Sequence, residues 1–94
     1  MLRIWGKILA RGRIKESMTV EDDHSEWPFE ERVSLLEDEL VNGFDLPRPI
    51  WLPKNREELK EFGATRFDQD NFIESFPYQY FEMEIIEKDD PDEA

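Results

Sequence analysis

Leu2-Arg-Ile-Trp-Gly-Lys-Ile-Leu9 and Arg13-Ile-Lys-Glu-Ser-Met-Thr-Val20, joined across Ala10-Arg11-Gly12, decide the fold. In the first run Leu2, Ile4 and Ile8 alternate with Arg3, Trp5 and Lys7. In the second, Ile14, Met18 and Val20 alternate with Arg13, Lys15, Ser17 and Thr19, and only Glu16 falls on the apolar side. A period of two sends successive side chains to opposite faces of a strand. Two such runs across a short Gly-containing link read as a β-hairpin with one apolar and one basic face.

Beyond the hairpin, Glu21-Asp-Asp-His-Ser25 is a polar link, with Ser25 as a candidate N-cap and Pro28 tolerable in a first helical turn. Phe29, Val33, Leu36 and Leu40 recur at the spacing of one helix face, and Gly43 is a natural stop, which predicts a helix over 27–42. The stretch 46–53 holds three prolines and reads as extended, with Ile50-Trp51-Leu52 a short edge piece. Asn55 and Glu58 resemble a capping box for a helix at 56–62 closed by Gly63, and a further short helix or turn after Asp68 carries Phe72, Ile73 and Phe76. Residues 78–87 alternate again, Phe81, Met83 and Ile85 against Tyr80, Glu82 and Glu84. The expected fold is α+β: an antiparallel sheet of the N-terminal hairpin plus the C-terminal strand, with one long helix and short helices packed on one face. Residues 1–88 form the expected single domain and 89–94 a frayed acidic tail.

The chain has 94 residues, with 24 acidic against 12 basic groups and a net charge of −12. Chains so charged are often unfolded, but seven Phe, three Trp and two Tyr supply the apolar area that disordered polyanions lack. The absence of cysteine excludes disulfides, thiolate metal sites and a cysteine nucleophile. Arg3 and Lys7 interrupt the first apolar run, and no run is long enough to span a bilayer, so a cytoplasmic protein is expected, with no membrane partner. All five basic groups of residues 1–15 stand without an acid, whereas the other seven share residues 16–94 with all 24 acids.

Arg3-Ile-Trp-Gly-Lys-Ile8, Pro49-Ile-Trp-Leu52 and Thr65-Arg-Phe-Asp-Gln-Asp-Asn-Phe-Ile-Glu74 resemble segments of a family of short bacterial proteins of unknown function. The resemblance implies a bacterial cytoplasmic protein and offers no residue roles to carry over.

No arrangement of residues reads as catalytic, and no cofactor is expected. Asp68 and Asp70 start like a calcium loop, but Phe72, Ile73 and Gln79 stand where it needs a ligand, a glycine and a glutamate, so an acidic N-cap fits better. Asp22 and Asp23 beside His24, the one imidazole, are a weak candidate for a divalent ion, and no metal site is predicted. With His24 as the only base and no Gly-x-Ser-x-Gly or phosphate-cradling loop, hydrolysis and phosphoryl transfer are not expected. The leading expectation is a non-enzymatic interaction module, a monomer or weak homodimer. It binds a protein with a basic surface through Glu30, Glu31, Glu37 and Asp38 of the long helix and Glu82 and Glu84 of the last strand. The alternative is nucleic-acid binding by Arg3, Trp5, Lys7, Arg13 and Lys15, but phosphate is repelled by the net charge, and Glu82, Glu84 and Glu87 lie ready to pair with these cations. Trp5, on the polar face, is either open to a partner or covered by the 46–53 segment.

Overall fold

The computed structural model describes residues 1–89 and shows an α+β fold, a four-stranded antiparallel sheet with two helices. The strands β1 (Leu2–Ala10), β2 (Arg13–Asp22), β3 (Ala64–Phe67) and β4 (Tyr80–Glu87) lie in the order β2-β1-β4-β3. The helices α1 (Phe29–Phe44) and α2 (Pro53–Phe62) have 16 and 10 residues. Arg11 and Gly12 take positive φ, 55° and 73°, as a tight two-residue hairpin turn requires, and Ala10 pairs with Arg13 across it.

The inner face of the sheet presents Leu2, Ile4 and Ile8 of β1, Val20 of β2, Phe67 of β3, and Phe81 and Met83 of β4, all buried. Val33, Leu36, Leu40 and Val41 of α1 and Leu59 of α2 join them in one core. Gly6 lets α1 approach: a Cβ there would lie 2.5 Å from a methyl of Leu40. Phe81 is the aromatic hub, edge-on to Phe44 at 6.1 Å and beside Phe67 at 5.6 Å.

Several sequence expectations are corrected. Helix α1 starts at Phe29, capped by the backbone of Pro28 rather than by Ser25, and Phe29 is 42% exposed instead of lying in the core. Gly43 is not the stop. It lies within the last turn, where its missing Cβ makes room for Met18 Sδ, and Asp45 takes the left-handed conformation that ends α1. Ile14 is exposed because the far end of the hairpin runs beyond the helices. Asn55 sits in the first turn of α2 rather than at its cap. Its Oδ1 accepts the Leu52 N–H at 3.0 Å, and its Nδ2 donates to Thr65 Oγ1 and the Arg66 carbonyl, tying α2 to the free edge of β3. Asn71 completes this buried knot by donating to Asn55 Oδ1 and the Ile50 carbonyl. Asp68 does cap the short 3₁₀ turn Gln69–Asn71, accepting from the Asp70 N–H. After that turn Phe72 and Phe76 stack in the core while Ile73 points to solvent. Asp89, expected to fray, bonds the Arg32 guanidinium and the N-terminal amine, and the rest of the expected tail, 90–94, lies outside the described residues. Among the described residues no helix is long and apolar enough to cross a membrane.

Candidate functional site

The six acidic candidates divide into two groups. Glu30 and Glu31 stand exposed in the first turn of α1 with no ion pair among the described residues. Glu37 does not: it is 1% exposed, because spacings of four place it in the buried stripe between Val33 and Val41. It accepts from Trp51 Nε1 and Arg48 Nη2, both at 3.0 Å. Burial pushes its carboxyl up, a shift these two donors only partly oppose. Asp38 is paired with Arg48. Glu82 is also buried, held by Lys7 Nζ at 2.5 Å and Arg66 Nε at 2.6 Å, while Glu84 meets the same ammonium at 2.9 Å. Glu37 and Glu82 are therefore internal ion partners and not contact residues.

The basic hairpin is divided in the same way. On the outer sheet face Lys7 pairs across strands with Glu82 and lies 3.9 Å above the Trp5 ring, leaving it 7% exposed. Its desolvation lowers the ammonium pKa, but the two carboxylates outweigh that and hold it above its ordinary value. Arg3 sits between Glu21 at 3.4 Å and Glu87 at 3.5 Å. Arg13 and Lys15 lie on the exposed overhang with no ion pair among the described residues. Trp5 is thus covered by Lys7. The 46–53 segment packs on the helix side, where Trp51 meets Phe67 edge-on at 4.9 Å.

Sequence reasoning missed the entry to α1. His24 stacks on Trp27 with ring centroids 3.9 Å apart, and its Nδ1 is hydrogen-bonded to Asp22. Asp22, buried, also accepts from Arg32 Nε at 2.7 Å. Its own desolvation raises the Asp22 carboxyl, but these donors outweigh it and hold the carboxyl below its ordinary value. Asp22 is therefore committed to structure, and among the described residues no three acidic or histidine side chains gather as metal ligands. Trp27 and Phe29 remain 40% and 42% exposed, and Asp23, Glu26, Glu30 and Glu31, which flank them in sequence, are exposed too; Asp23 and Glu26 act electrostatically on His24, while Glu30 and Glu31 have no ion pair among the described residues. Acids favour this position because the helix N-terminus is partially positive.

A cleft of about 880 Å³ opens between α1, α2 and the end of β4. Phe29, Val33, Trp51 and Leu59 form its apolar walls, and Glu37 lies at its base. The Trp51 indole is fixed from both sides, by the bond to Glu37 and by the edge contact with Phe67. Neither anchor was visible in sequence, since both link residues brought together only by the fold. No protein-family model, no curated protein and no solved structure matches the chain.

Proposed function

We propose that this chain is a non-enzymatic, cytoplasmic interaction module that docks a basic protein segment at the N-terminal end of α1. One observation carries the reading: Trp27 and Phe29 are exposed two residues apart, flanked by Glu30 and Glu31, which have no ion pair among the described residues, and by Asp23 and Glu26, whose charges favour a cation at His24. Exposed aromatics are the residues around which binding energy concentrates. The indole face that His24 leaves open, together with the Glu30 and Glu31 carboxylates, suits Arg or Lys, by cation–π contact and by charge. Nucleic-acid binding is the weaker reading, because Lys7 and Arg3 are already neutralised by Glu82, Glu84, Glu21 and Glu87.

The test is fluorescence anisotropy with a labelled, short Arg/Lys-rich peptide. Binding is expected at low salt, weakening as salt rises, and is lost in Trp27→Ala and in the double variant Glu30→Gln/Glu31→Gln. Glu39→Gln, at an exposed site farther along α1, leaves it intact. Binding that ignores Trp27→Ala, or a labelled oligonucleotide that binds more tightly than the peptide, overturns the proposal.

A further inference from the structure

The cleft between α1 and α2 inverts the charge of the molecule. The chain carries twice as many acids as bases, yet five cations line this cleft against three carboxylates. Two of the cations are internally satisfied: Arg32 by Asp22 and Asp89, Arg48 by Glu37 and Asp38. The other three, Arg56 and Lys60 of α2 and Lys88 beyond β4, have no ion pair among the described residues. Of the three lining carboxylates, Glu37 and Asp89 are held by Arg48 and Arg32, which leaves Glu30 alone at the rim. Arg56 and Lys60 are four residues apart, so their side chains leave the same face of α2 as neighbours about 5–6 Å apart at Cβ. That spacing suits two cations closing on one phosphate or carboxylate group.

The remaining walls are apolar and one is rigid. Trp51 cannot turn without giving up either its bond to Glu37 or its contact with Phe67. The volume falls within the range of about 300–1,000 Å³ typical of small-molecule sites. We infer that this cleft binds a small organic anion, with a flat apolar body against Trp51 and Leu59 and a terminal phosphate or carboxylate between Arg56, Lys60 and Lys88. This site meets the Trp27 surface at Phe29 and Glu30, but its charge selects ligands of the opposite sign.

The experiment follows the Trp51 indole N–H and the α2 amides by ¹H–¹⁵N NMR during titration with four probes: 1-naphthyl phosphate, 2-naphthoate, neutral 2-naphthalenemethanol and inorganic phosphate. The two naphthyl anions are expected to shift these signals and to bind at least about tenfold more tightly than the neutral alcohol, the advantage of hydrogen bonds to a charged group. Their order separates a phosphate from a carboxylate preference. Arg56→Gln/Lys60→Gln is expected to weaken both by about tenfold or more with an unchanged melting temperature. Lys54→Gln, whose side chain lines a different surface of α2, leaves them unaffected. Equal binding of the neutral alcohol, inorganic phosphate binding as tightly as the naphthyl anions, or full affinity in the double variant overturns the inference.

Discussion

At the scale of single residues, the most consequential groups are charged side chains that the fold has taken out of water. Lys7 was legible as a strand residue facing Glu82 and Glu84, because alternation puts all three on the outer face. Its burial was not legible, since it depends on Trp5 lying alongside and on Arg66 arriving from a strand the periodicity did not reveal. An exposed pair is worth little, but Lys7→Ala leaves Glu82 enclosed with one cation fewer. It is expected to cost about 1–3 kcal/mol in urea unfolding, more than an exposed pair contributes. His24 offers a second measurement at this scale. The Asp22 hydrogen bond holds the imidazole above its ordinary pKa of 6.5. Its folded pKa exceeds its unfolded value, so the stability it adds is fully present below about pH 6.5 and is lost as pH rises through the folded value. An NMR titration is expected to show a raised midpoint that moves down in Asp22→Asn. A midpoint that stays put in that variant would assign the shift to another group.

At the scale of elements, the packing of α1 on the hairpin rests on two close approaches that differ in how far the neighbour can yield. Leu36 and Leu40 are fully buried, and Leu36→Ala is expected to cost about 2–5 kcal/mol by loss of contacts and a residual cavity. At Gly6 an added methyl meets three atoms of the buried Leu40 side chain. Gly6→Ala is therefore expected to destabilise by about 1–3 kcal/mol, the range for overpacking a core. At Gly43 the added methyl meets only the thioether end of Met18, which is partly exposed and flexible, while the helix gains an alanine. Thermal melts are expected to show Gly43→Ala at or above wild type and Gly6→Ala well below it, and the reverse order would mean that α1 crosses the sheet elsewhere. Helix α2 was readable from the punctuation at its ends, Asn55, Glu58 and Gly63, and the hairpin, α1 and β4 because each carries its own apolar period. Strand β3 was not, because four residues after Gly63 are too few to show one. Its place is fixed from outside, by pairing with β4 and by the Asn55 and Asn71 side chains. Asn55 was read as the cap itself, but Pro53 starts α2 two residues earlier, so Asn55 caps from the third helical position, through the Leu52 N–H, and also serves a tertiary partner.

At the scale of the whole molecule, ion pairs engage most of the buried and half-buried carboxylates, while Glu30, Glu31 and the exposed glutamates on the outer faces of both helices have no ion pair among the described residues. The net charge of −12 was plain in the sequence, but the gathering of three cations, unpaired among the described residues, around the cleft that Trp51 lines was not, because it depends on long-range contacts. This distribution sets two opposing pH effects. Near neutrality the unpaired acids repel one another, and that repulsion weakens as pH falls toward the pI of about 4.4. Glu37 acts in the same direction, since burial raises its folded pKa, and its penalty disappears on protonation. Asp22, Glu82 and Asp89 act oppositely. Desolvation raises the first two, but their cationic partners outweigh it, and the Arg32 hydrogen bond lowers Asp89, so all three folded pKa values lie below the unfolded ones. Their contribution is present above the unfolded carboxylate range of about 4 and is lost as pH falls through the folded values. Stability is therefore expected to rise from pH 7 to a maximum near about pH 5 and to fall steeply below about pH 4. Raising salt from about 0.05 to 0.5 M shortens the screening length and is expected to raise the melting temperature at pH 7, with little effect at the maximum. A melting temperature that falls with salt at pH 7 would show that attraction within the ion pairs outweighs repulsion among the unpaired acids.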